Sequence, residues 1–128
     1  DNIVVDDLGN ILIQEDPGNN AAVARVVSYR ISDGKLATVA QFNPEYFTTG
    51  ATAFITQDEE SSGIIDVTKY LKSGSSDKAK YYMLVAQIHA SPTKSRPDLT
   101  PAPYGLDNAV EGGQWYVMKV SNWEQIYS

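Results

Sequence analysis

The chain has 128 residues, room for one ordinary domain, and 42% of them are apolar, which supports a packed core rather than disorder. Its formal net charge of −6 argues against nucleic acid and anionic membranes as partners, while remaining compatible with hard cations bound through oxygen. There is no cysteine, which removes structural zinc, iron–sulfur and thiol-nucleophile chemistry, and no apolar run approaches the ~20 residues of a membrane span.

Strand signals dominate from the first residues. Ile3-Val4-Val5 and Ile11-Leu12-Ile13-Gln14 flank the turn Asp7-Leu8-Gly9-Asn10, whose last two residues are types that accept positive φ. Pro17-Gly18-Asn19-Asn20 reads as a loop. Residues 24–31 alternate polar and apolar, as a half-buried strand does. Ser32-Asp33-Gly34-Lys35 is a second hairpin turn, and 36–42 a fourth strand ended by Asn43-Pro44. Four turn-linked strands make one antiparallel meander. The first strands are the most apolar, which predicts that they are buried and the later ones wet.

The second half is less regular. Residues 51–56 predict a short strand, and Gln57-Asp58-Glu59-Glu60-Ser61-Ser62-Gly63 an acidic loop. Ile64 to Val67 predicts extended chain, then a helical turn at 68–71 capped by Asp66 or Thr68. Residues 81–89 predict a strand central in its sheet. Residues 90–113 hold Pro92, Pro97, Pro101 and Pro103, a pattern that excludes sheet interior and predicts a long loop. Residues 114–120 predict the last strand. The fold class is therefore all-β.

Several residues carry candidate chemistry. Asp1 and Asn2 precede an apolar strand, where carboxylate and amide oxygens can face a hard cation, or simply form a turn. Glu15 and Asp16 end the second strand, and adjacent side chains in a strand point to opposite faces, so at most one enters a common site. Asp58, Glu59 and Glu60 repel one another, a repulsion that a cation would remove. His89, the single histidine, ends an apolar strand and is either a metal ligand or structural. No nucleophile elbow and no phosphate-cradling glycine loop is present.

The opening segment, Asp1-Asn2 followed by an apolar triplet, then Asp6, Gly9-Asn10 and a second apolar triplet, resembles the repeat of PhoX-type alkaline phosphatases. Related segments occur in six-bladed propellers of the gluconolactonase and NHL-repeat groups. Glu59-Glu60-Ser61-Ser62-Gly63-Ile64-Ile65-Asp66 is similar to the Glu-Ser-Ser-Gly segment of the PhoX-like and phytase-like esterase propellers. Residues 82–90 resemble the strand that follows it there, with Ala86 where an Asp is common. The Pro-rich loop has no counterpart.

The resemblance implies about one and a half to two blades of a β-propeller in a single partial domain over 1–128, with the first blade at 1–44 and the second at 45–128. It implies a secreted or periplasmic phosphomonoesterase whose signal peptide lies outside these residues. Its cofactor would be Ca²⁺, with iron in the full-length parent, and its substrate a small phosphate ester. Asn2 and Glu60 match metal-facing positions best, with Asp1, Glu59, Glu15, Asp16 and His89 behind them. The chain opens on the first residue of its motif, so it reads as the C-terminal part of a longer protein, inactive alone and self-associating through open strand edges. The alternatives are a non-catalytic propeller-type binding module and a Ca²⁺-dependent lactonase-type hydrolase.

Overall fold

The computed structural model describes residues 2–90 and 111–128. Two antiparallel sheets are built in chain order. The first holds β1 (Ile3–Val5), β2 (Asn10–Gln14), β3 (Arg25–Arg30) and β4 (Leu36–Gln41), in the order β1-β2-β3-β4. The second holds β5 (Glu59–Asp66), β6 (Lys80–Ile88) and β7 (Gly112–Val120), with β6 in the middle. Short helices α1 (Pro44–Phe47), α2 (Thr68–Leu71) and α3 (Trp123–Ile126) complete the described elements.

The meander follows from its turns. Gly9 has φ +80, and Asp6 Oδ1 accepts the N–H groups of Leu8 and Asn10, fixing the β1–β2 turn. Gly34, at φ +71, turns β3 into β4. Asn43 caps α1 through its side chain, with Pro44 in the first turn, where a missing N–H costs nothing. At α2 the N-cap position falls to Val67 rather than to Asp66 or Thr68, and Asp66 Oδ1, one residue before it, accepts the Thr68 N–H.

The sheets meet face to face. Leu12 and Val26 of the first pack against Ile64, Tyr82, Leu84 and Val120 of the second, and Trp123 and Ile126 of α3 close one side. A buried polar network runs beside this core. Asp6 Oδ2 accepts from the Tyr82 hydroxyl at 2.8 Å and from Asn10 Nδ2 at 2.9 Å. The Tyr127 hydroxyl donates to Asn10 Oδ1 at 3.0 Å and lies 2.5 Å from Ser28 Oγ. Burial, with Asp6 as hydrogen-bond acceptor, pushes the Tyr82 phenol well above its ordinary range, so it stays a donor.

Three expectations need correction. Residues 51–56 form turns rather than a strand, with the Ile55 N–H donating back to the Tyr46 carbonyl. The acidic loop expected at 57–63 is strand from Glu59 onward, because its acids and serines find partners across both sheets. β1 is an exposed edge rather than a buried inner strand: Ile3 and Val5 are 61% and 57% exposed. Burial belongs instead to the central strands β2 and β3. The Pro-rich loop lies outside the described residues up to 110, and from Gly112 the chain is already β7.

Leu12 is fully buried at the centre of the shared core. Leu12→Ala is therefore expected to cost about 2–5 kcal/mol of unfolding free energy, measured by urea denaturation.

Candidate functional site

The acidic start of β5 meets the end of β2, and a bulge in β5 sets which side chains arrive there. Ser62 pairs with Val85 but Ile65 with Met83, so one extra residue is inserted. Gly63 takes φ +62, a conformation side chains disfavour. The bulge shifts the alternation: Glu59 and Ser61 turn inward before it and Ile64 after it. Glu59 is thereby aimed into the protein at 1% exposure, while Glu60 points the other way.

Four carboxylates hold the β2–β3 loop around this point. Glu59 Oε1 accepts the Ala24 N–H at 2.8 Å. Glu15 Oε2 accepts the next N–H, that of Arg25, at 3.1 Å. Asp58 Oδ1 accepts from Asn19 N–H and Asp16 Oδ1 from Gly18 N–H. Two carboxylates from different sheets thus sit on consecutive backbone amides. Glu59 Oε2 has no hydrogen-bond partner among the described residues and is fully buried. Burial pushes the Glu59 carboxyl above its usual range.

The other candidates are placed as follows. Asn2 Oδ1 accepts from Ser62 Oγ and from Gly63 N–H, both at 2.9 Å. An amide oxygen has two lone pairs, so this one is fully used in capping the bulge. Glu15 makes a two-pronged pair with Arg25, at 2.6 and 2.8 Å, and that hydrogen bonding holds its carboxyl below the usual range. Asp16 turns away toward Gly18. Glu60 Oε2 lies 3.8 Å from His89 Nε2, and His89 Nδ1 lies 2.9 Å from Glu111. The Glu111 hydrogen bond raises the His89 pKa. Asp1 lies outside the described residues.

The structure thus brings Glu15, Asp16, Asp58 and Glu59 around one loop, and gathers Glu60, His89 and Glu111 separately. Among the described residues no three His, Cys, Asp or Glu side chains converge closely enough to hold a metal ion by themselves. An open cleft of about 770 Å³ lies beside the loop, lined by Glu15, Asp16, Asn20, Arg25 and neighbouring residues. Sequence reasoning passed over Arg25 and the buried Gln14. Gln14 Nε2 donates to Ser61 Oγ at 2.6 Å, and its Oε1 accepts the Ile64 N–H at 3.0 Å. An inward polar residue at the end of an apolar strand is the one signal that marked it.

Comparison with protein-family models, curated proteins and solved structures finds no significant match to this chain.

Because the folded state holds Glu59 with a raised pKa, it retains a proton that the unfolded chain gives up near pH 4.5. Stability from this group is therefore present at low pH and lost as pH rises from about 4.5 through the folded pKa. Glu59→Gln should remove this dependence: the variant gains on the wild type as pH increases, read from urea midpoints between pH 4 and 8. Parallel wild-type and variant profiles would count against a strained carboxylate here.

Proposed function

We propose that this chain supplies about one and a half to two blades to a six-bladed-type β-propeller, and metal-binding carboxylates to a periplasmic or secreted phosphomonoesterase similar to the PhoX-type enzymes. The observation that carries the reading is Glu59: a buried carboxylate with one oxygen unpartnered among the described residues, seated on the Ala24 amide next to Glu15 on the Arg25 amide. Leaving a buried anionic oxygen unpaired is costly, and a cation relieves that cost directly. The donor chemistry fits Ca²⁺, which takes carboxylate and carbonyl oxygens.

The outer faces of the sheets support the propeller part. Ile3, Val5, Ile13, Tyr29 and Leu36 are exposed on one, and Ile65, Trp115 and Val117 on the other. Apolar surface on both flanks of a two-sheet stack suits further sheets packed on each side.

In this reading Glu59 holds the cation, with Asp58 and Glu60 adding negative potential on either side. The remaining ligands come from further blades. Bound Ca²⁺ would supply Lewis acidity toward a phosphoryl oxygen. Arg25, fixed at the cleft by Glu15, keeps Nη1 free of partners among the described residues and offers it to an anionic ester. Glu15 orients that guanidinium rather than binding substrate.

A ligand that binds only the folded state raises the melting temperature. Millimolar Ca²⁺ is expected to raise it by several degrees, and Glu59→Gln to abolish the shift. The same Ca²⁺ response in wild type and Glu59→Gln would move the cation elsewhere. No response at all would favour a propeller-type module that binds a partner without catalysis, or a site left incomplete without the ligands of the further blades. The chain alone is expected not to turn over an aryl phosphate, since the ligand set is shared with other blades.

A further inference from the structure

We propose that the free edge of β7 is the surface through which two copies of this chain pair, as antiparallel strands centred on Tyr116. Among the described residues β7 ends the β5-β6-β7 sheet and runs for nine residues without a register shift against β6, so there it offers a long row of backbone groups with no strand beside it. The other sheet edges offer less. β1 has three residues, and the outer edge of β5 is already occupied by Asn2, Gln14 and the Glu15 carbonyl. β4 is shorter and carries a register irregularity against β3.

β7 also lacks the devices that protect an edge. Its sequence, Gly112-Gly113-Gln114-Trp115-Tyr116-Val117-Met118-Lys119-Val120, has no proline and one charge. Trp115, Tyr116 and Val117 are 66%, 47% and 55% exposed, so the middle of the edge is its most apolar part.

The occupant follows from the pairing pattern. With Tyr116 on the two-fold axis, Trp115 faces Val117 of the second copy, an aromatic–β-branched pair of the favourable kind. Gln114 faces Met118, and Lys119, the lone charge, faces Gly113, so no like charges oppose one another. The strand is therefore complementary to itself, as an isologous contact requires. The result is one continuous six-stranded sheet, β5-β6-β7 followed by its mirror order.

The test is the state of the chain in solution. Light scattering at about 100 μM, a concentration suited to a small edge interface, should give twice the 14.0 kDa monomer mass. Tyr116→Lys and Tyr116→Glu each place like charges directly across the axis, so each variant alone should be monomeric. An equimolar mixture of the two should recover the dimer. In a chain with no cysteine, Tyr116→Cys should cross-link on mild oxidation, because residues opposed across antiparallel strands lie within disulfide reach. That result reads the register even if the charged variants do not fold. A monomeric wild type overturns the proposal. So does a dimer that survives Tyr116→Lys, or one that cross-links through Thr38→Cys on β4 and not through Tyr116→Cys.

Discussion

The open edge of β5 is the constraint on which the rest of the structure depends. Three of its N–H groups find no strand beside them. Ser61 donates to the Glu15 carbonyl, Gly63 to Asn2 Oδ1 and Ile64 to Gln14 Oε1. Each acceptor comes from the first sheet, so the second sheet is closed by the first rather than by a strand of its own. The Ser61 and Ile64 donors are buried, and leaving either unpaired would cost about 1–3 kcal/mol, so this seam helps to fix how the two sheets sit. Gln14, 1% exposed, serves both sides of the bulge at once, which an apolar residue there could not do.

At the opposite end, the core is bound together by polar groups as well. Asp6 reaches Tyr82, Asn10 reaches Tyr127, and Tyr127 lies against Ser28, so the β1–β2 turn, β3, β6 and the C-terminal segment share one network. Arg30 covers the Tyr127 ring at 4.5 Å and pairs with Glu124, anchoring α3 from outside. Nearby, Lys80 is buried between Asp7 and Asp66, again joining the two sheets. The hydrophobic cluster supplies the bulk of the driving force, and these directional bonds set a single register for it.

Much of the strand layout was legible in the sequence because period-two alternation and turn residues are local signals. Residues 80–87 alternate between buried and half-buried, β3 departs from alternation at its irregularity between Val26 and Val27, and Gly9 and Gly34 sit where the turns demand them. The misses share a cause. Glu59 to Ser62 looks like a loop from its composition, yet it becomes strand because Ala24, Gln14 and Asn2, distant in sequence, satisfy it. β1 looks buried from its composition, yet burial depends on which strands end up central, a tertiary fact. For the site, the acidic residues themselves were visible. Their division into an inward Glu59 and an outward Glu60 was not, since it turns on a one-residue bulge at Gly63.

That bulge also decides which oxygens are chemically free. Asn2 is the most natural cation-facing residue in the opening motif, but it completes the β5 seam with both lone pairs of its amide oxygen. Freeing that oxygen for a cation would expose the Gly63 N–H and loosen the junction of the two sheets. Glu15 is committed in the same way, to Arg25 and its backbone N–H. Glu59 differs because its structural duty uses one oxygen, the bond to Ala24, and leaves the other without a hydrogen-bond partner among the described residues. The residues that build the seam and the residue able to act at it are therefore separable, although they stand within one short stretch of two strands. The seam holds Glu59 in place, and its own acceptors are spent in doing so.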